Sequence, residues 1–330
     1  MKGFVMRYTR RQIGKLALST IPAATLLPRT AWAAGKVNSK VNGVVIGMNV
    51  PYNFGNQATS AEDILQRCVQ LGVSGVELRA RPVEAFMGLP LNLQPQPGGG
   101  NRGGAPAAPP PPPTPEQQAA AKARLEEIRK WRVAAPLSKA RDVRKMYEDA
   151  GVNIEIVKYD GVPDYSDDEL EYTFTLAKAL GARAISCEFS MDDAKRIAPF
   201  AAKHRMLVGF HGHAMVTPAI FDELLAVGPY IGANVDLGHF VAGNSISPVP
   251  VIAKHHDRIT HVHVKDRKMH DGPNMPFGQG ETPIIEVLRL IRDKRWNIQA
   301  TIEFEYRVPE GSDRMTELAK TVKYCREALA

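Results

Sequence analysis

The chain has 330 residues, 44% hydrophobic and 23% charged, with 42 Lys and Arg against 35 Asp and Glu for a formal charge of +7. Such a length buries one large core, and three cysteines, an odd number with no CxxC pair, exclude a disulfide framework. The basic excess marks no nucleic-acid or anionic-membrane partner: Lys2, Arg7, Arg10, Arg11, Lys15 and Arg29 all precede Ala34 with no acidic residue among them, and without them the formal charge is +1.

In chain order, Thr9-Arg10-Arg11-Gln12-Ile13-Gly14-Lys15 is followed by a moderately apolar stretch and then Ala31-Trp32-Ala33. Charged, apolar and small-residue regions in this order make residues 1–33 a signal peptide, and the paired arginines indicate the twin-arginine route, with cleavage after Ala33. The apolar stretch is too short for a stable membrane anchor. The expectation is a periplasmic or secreted protein whose one macromolecular partner is the twin-arginine export machinery, and whose residues 34–330 form a single domain; homo-oligomerisation is left open.

From Gly43 onward eight short apolar runs follow: GVVIGM, GVELRA, NIEIVKYD, ARAISCEF, LVGFHGHA, IGANVDLGH, ITHVHVKD and ATIEFEY. Helical stretches separate most of them, near Ser60–Leu71, Ser138–Ala150, Ser166–Leu180, Asp192–His204, Pro218–Val227, Pro248–His256, Thr282–Lys294 and Ser312–Leu329. Eight strands alternating with helices predict an α/β fold, the (β/α)8 TIM barrel, with its active site at the C-terminal ends of the strands. The second run is expected to end at Glu77, a rim carboxylate that either reaches the site or holds Arg79 or Arg81. Between Leu89 and Pro115 the sequence turns to Gly and Pro (GGG, RGG, PPPP), a low-complexity insertion with little apolar surface to bury, followed by an exposed charged helix over Glu116–Lys130.

Candidate ligands gather where strands end. Side chains two apart share a strand face, which pairs His211 with His213, His261 with His263 and Glu303 with Glu305. The later member of each pair is expected at the mouth and the earlier one in a core layer. In Asp236-Leu237-Gly238-His239 the aspartate closes an apolar strand, Gly238 permits a tight turn and His239 returns its imidazole to the mouth; the alternative is an Asp236 that only caps the following turn. In His261-Val262-His263-Val264-Lys265-Asp266-Arg267 a buried imidazole and ammonium on one face demand anionic or metal partners, and Asp266 is expected to support or neutralise a neighbour. Cys187 precedes Glu188 and would lie near the site.

The segments VGFHGH, NVDLGHFVAG, ITHVHVKDR and TIEFEY resemble the xylose-isomerase-like TIM-barrel superfamily, which includes sugar phosphate isomerases/epimerases, ketose 3-epimerases, inosose dehydratases and type IV AP endonucleases. The likeness runs from about Asn42 to the C-terminus, apart from the insertion. It implies one divalent metal ion, manganese, magnesium, cobalt or zinc, held by Asp236, His263, Glu303 and, where the epimerases carry a Glu, His211. It also implies His239 as the histidine that meets substrate. With His211 in place of one glutamate of the epimerases' acid/base pair, the proton-moving group is open among His211, His239 and Glu188. Lys265 is read as the oxyanion stabiliser, and His213, Arg267 and Glu305 as substrate-binding groups.

The resulting expectation is a metal-dependent enzyme that removes a proton beside a sugar or keto-sugar carbonyl and then isomerises, epimerises or eliminates, as in 3-keto-glycoside cleavage. Two alternatives stand beside it. A non-catalytic periplasmic sugar-binding barrel would keep the fold without turnover. A phosphodiesterase resembling type IV AP endonucleases would need further histidines on the second and third strands, where this chain has none.

Overall fold

The structure, a computed structural model, describes residues 35–57, 60–94 and 113–330. Eight parallel strands form the barrel: β1 (Val44–Val50), β2 (Gly75–Arg79), β3 (Asn153–Lys158), β4 (Ala184–Glu188), β5 (Leu207–His211), β6 (Ile231–Asp236), β7 (Ile259–Val264) and β8 (Gln299–Ile302). Each strand pairs with the next, and β8 pairs with both β7 and β1, which closes the ring. Val and Ile dominate the strands because branched side chains suit a pleated surface buried on both faces. Ile46, Met48, Val76, Val208, Val235, Val262 and Ile302 are fully buried, each contributing about 1.5–3 kcal/mol of transfer free energy.

Small residues make the barrel's interior packable. A Cβ at Gly47 or Gly75 would collide with the side chain of Gln299, which fills the inside where β1, β2 and β8 meet. Any larger residue at either glycine would push Gln299 out of that layer.

The helices follow the sequence pattern closely. Ala61–Gln70 is capped by Ser60, whose hydroxyl accepts the Asp63 N–H at 3.0 Å. Asp167–Ala179 begins with a complete capping box between Ser166 and Glu169. Two helices go beyond the expectation, Ala80–Met87 directly after β2 and Leu237–Asn244 directly after β6. The charged helix is longer than expected, Pro115–Val133. It is mostly exposed, yet its Arg132 is buried and pairs with Glu84 at 2.8 Å and Glu169 at 2.9 Å.

No helix among the described residues is long and apolar enough to cross a membrane. The proposed leader and most of the Gly/Pro-rich insertion lie outside the described residues.

Candidate active site

The C-terminal ends of β5 to β8 bring His211, Asp236, His263 and Glu303 together, with one ligand-type atom from each within 4.8 Å of the others. The four sit at consecutive strand ends because Asp236 and His263 are register partners across β6 and β7, and Glu303 is the first residue after β8. The contacts are 3.4 Å from His211 Nε2 to Asp236 Oδ2, 3.6 Å from His263 Nδ1 to Asp236 Oδ2, and 3.2 Å from His263 Nδ1 to Glu303 Oε2. All four residues are buried.

Asp236 plays both roles that its sequence context offered. Its Oδ1 accepts the His239 backbone N–H at 2.7 Å and caps the helix Leu237–Asn244, while Oδ2 faces the cluster. Gly238 therefore stands inside a helix rather than in a tight turn. The glycine is needed for another reason, since a Cβ there would press on the side chains of Lys265 and Arg267.

Lys265 is the electrostatic centre of the mouth. Its ammonium lies 2.9 Å from Asp236, 2.7 Å from Glu303 and 2.8 Å from Glu305. Burial alone would push the amine down, but the three carboxylates overcome it and hold Lys265 well above the ordinary lysine range. Burial likewise opposes the charge on Asp236 and Glu303, and the neighbouring cations hold both carboxyls well below their ordinary values, Lys265 first for Asp236 and His263 first for Glu303. Tyr52 donates its hydroxyl to Glu305 at 2.5 Å. Asn49 donates to Glu303 at 2.8 Å.

A second, opposite arrangement surrounds Glu188. Lys158 lies 2.7 Å from Oε1, while His211 Nδ1 at 3.1 Å and His213 Nε2 at 2.9 Å meet Oε2. Burial disfavours the carboxylate, but the two imidazole hydrogen bonds and the Lys158 ammonium hold its pKa far below the usual range. The bond to Glu188 in turn raises His213. Of this group, Lys158 was not anticipated as a site residue, although it closes an apolar strand in the same way as the residues that were. It is 1% exposed and has no rim solvent to reach.

His239 lies beside Lys265 and Arg267, with Nε2 3.0 Å from Lys265 Nζ and Nδ1 2.9 Å from Arg267 Nη1. Burial, reinforced by Lys265, lowers its pKa to about 4. Arg267 thus reaches the mouth through His239.

The expected place of Glu77 is corrected. Strand β2 runs on to Arg79, so Glu77 is a fully buried mid-strand residue in the barrel floor rather than a rim group. It holds no arginine: Oε2 accepts from His263 Nε2 at 2.6 Å, His261 Nε2 lies 3.3 Å from Oε1, and Arg79 pairs instead with Asp160 at 2.6 Å. Of the two roles expected for Asp266 the structure shows support: it accepts the backbone N–H groups of Gly278, Gly280 and Thr282 and so shapes the loop beside the mouth. Glu188 orients the two histidines that it binds. The pairing rule itself works well, since His261 lies in the floor and His263 above it, while Glu303 and Glu305 both face Lys265.

The donor set fits a divalent cation. His263 Nδ1 is buried, makes no hydrogen bond and lies within reach of the same point as ligand-type atoms of His211, Asp236 and Glu303, the oxygen-and-imidazole chemistry that Mn, Mg, Co or Zn accepts. Glu77 supplies the outer carboxylate that fixes which nitrogen of His263 faces inward.

Comparison with known proteins matches the family model of the xylose isomerase-like TIM barrel over residues 138–328. The chain belongs to the xylose isomerase-like TIM-barrel family. Among solved structures, the probable 3-DHS dehydratase AsbF of Bacillus anthracis is similar at a TM-score of 0.57 and 15% identity, over 85% of this chain and 98% of that one. The 3-keto-D-glucoside 4-epimerase YcjR of E. coli is similar at 0.55 and 12%, over 86% and 99%. A xylose isomerase domain protein of Planctomyces limnophilus is similar at 0.55 and 14%, over 86% and 96%. At these identities the likeness establishes the shared barrel. No curated protein matches the sequence.

Proposed function

We propose that this family member is a divalent-metal-dependent enzyme that moves a proton beside the carbonyl of a sugar or keto-sugar, as an isomerase, an epimerase or a 3-keto-glycoside lyase. The observation that carries this reading is the convergence of His211, Asp236, His263 and Glu303, four buried ligand-type side chains, at the barrel mouth. A dehydratase and a keto-glucoside epimerase among the similar structures support it.

The ion, held by those four residues, would act as a Lewis acid on the carbonyl and make the adjacent C–H more acidic. His213 is best placed to take that proton. Its side chain is 54% exposed at the mouth, and its Nε2 is engaged by Glu188, which leaves Nδ1 as the basic atom once the ring is neutral. The Lys265 ammonium stabilises the enediolate oxygen, and Tyr52, held against Glu305, offers a hydroxyl at the same rim. The proton then returns to carbon, or the bond to a leaving group at the next carbon breaks.

The leader argues for an exported enzyme, and oxidised sugars or glycosides suit that location better than phosphorylated sugars do. We extend the proposal to periplasmic or secreted action on a keto-glycoside after passage through the twin-arginine machinery.

A specific observation favours a second reading, a metal-free sugar-binding barrel: Lys265 pairs with Asp236, Glu303 and Glu305 and offsets part of their charge. Metal analysis of purified wild type beside His263→Ala separates the two. About one equivalent per chain in the wild type and none in the variant, with C–H exchange of a keto-sugar in deuterated water, is the expected result. A metal-free wild type that binds sugars without exchange sinks the enzyme reading.

A further inference from the structure

Arg79 ends β2 two residues after Glu77 and so shares its inward face. In the closed ring β2 stands across from β6, the strand that delivers Asp236, which puts Arg79 on the wall of the mouth opposite that ligand-type residue. Its guanidinium is held in two ways. Both oxygens of Asp160 lie 2.6 Å from Nη1, and Cζ lies over the Tyr52 ring, 5.3 Å from its centroid.

Those contacts use one nitrogen. Nε is buried and makes no hydrogen bond, and both bonds to Asp160 come from Nη1, so the edge formed by Nε–H and Nη2–H is uncommitted among the described residues. Such an edge presents two parallel N–H groups, the fork that matches the two oxygens of a carboxylate. A buried donor without an acceptor is costly, and the ion pair with Asp160 does not need this edge. Burial works against the Arg79 charge, but Asp160 first, then Glu77 and Glu303, hold its pKa above the ordinary arginine value. The fork is therefore charged at every physiological pH. Lys158, the register partner of Arg79 on β3, adds a second buried cation to the same wall.

We infer that the Nε/Nη2 edge of Arg79 is a subsite for a carboxylate of the substrate, carried at the end of the molecule remote from the carbonyl that meets the four ligand-type residues. The substrate class narrows accordingly, from keto-sugars in general to oxidised sugars that bear a carboxylate, of the uronate or aldonate kind. That the carboxylate belongs to a keto-sugar rests on the function proposed above; the subsite itself does not.

The test is a 1H–15N spectrum of the arginine Nε–H groups in the 15N-arginine-labelled chain, with the Arg79 signal assigned by its loss in both Arg79→Lys and Arg79→Gln. Glycolate and ethylene glycol serve as probes, matched in size and differing in the carboxylate, with ionic strength held constant by sodium chloride. The expected result is a downfield move of the Arg79 Nε–H proton that saturates with glycolate and is absent with ethylene glycol. A signal that ignores glycolate, or that moves only in step with all the other arginines, overturns the subsite. An equal response to both probes overturns the carboxylate class. Metal content and C–H exchange, measured on the same preparation, decide the proposed function separately: their loss leaves a responsive Arg79 standing, and their presence does not rescue an unresponsive one.

Discussion

His261 and His263 stand two residues apart on β7, both fully buried, and the barrel drives them in opposite directions. Burial lowers His261 to about 4, while for His263 the Glu303 and Glu77 carboxylates overcome the same burial and hold it well above the usual imidazole range. The difference lies in what each ring meets. His261 touches Glu77 only at 3.3 Å and has the neutral hydroxyl of Thr260 on its other side. An unfolded chain protonates this histidine below about pH 6.5, whereas the folded chain does so only near 4. Its contribution to stability is therefore complete above pH 6.5 and lost as the pH falls towards 4, on the order of 3 kcal/mol in all. Gln in its place does not titrate. The melting temperature of His261→Gln is expected to fall less than that of wild type between about pH 7 and pH 4.5, with the effect of His263 common to both proteins. Parallel curves would refute this account of His261.

Among the elements, the helix Pro115–Val133 depends most on a single side chain. Its surface is largely polar, and its anchor is Arg132, bonded to Glu84 and Glu169 and lying over the Tyr165 ring at 4.5 Å. Arg132→Leu leaves two buried carboxylates without their cation, a change that costs about 3–5 kcal/mol in comparable buried pairs. Faster amide exchange throughout this helix, with β1 to β8 still protected, is the expected signature; uniform protection would mean that other contacts hold it. Burial works against the Glu169 carboxylate, but the Ser166 backbone N–H and Arg132 hold its pKa below the ordinary value. Its stabilisation is thus full above about pH 4.3 and declines as acid protonates it. The two helices that the sequence pattern missed share a physical cause. Leu237–Asn244 takes as its N-cap Asp236, the last residue of β6, and Ala80–Met87 starts straight after β2 with no side-chain cap at all. Neither leaves the polar gap by which helix starts are recognised. Glu77 was misread for a related reason, because two more strand residues move it from rim to floor, whereas Asp236, His263 and Glu303 were legible as polar residues ending apolar strands. Nothing local announces that Lys158 and Glu188 meet: that contact exists only once β3 and β4 lie side by side.

At the scale of the whole molecule, the barrel closes within Lys36–Ala330, the compact unit that contains every paired strand. The proposed leader is expected to be dispensable for folding. Arg10→Lys with Arg11→Lys should trap the protein in the cytoplasm, while its melting temperature matches that of a chain begun at Ala34. Fractionation showing the double variant still exported would rule out the twin-arginine route. The four ligand-type residues come from consecutive strands, β5 to β8, while β1 to β4 supply the groups that steady them: Asn49, Glu77, Lys158 and Glu188. The Lys265 ammonium among three carboxylates has a consequence for the order of events in the life of this protein. A pocket of bare carboxylates would repel itself and make folding wait for an ion, but here the chain carries its own counter-ion. Under the metal-dependent reading proposed above, the barrel would reach its final form in metal-poor surroundings and take up its ion later, wherever one is available.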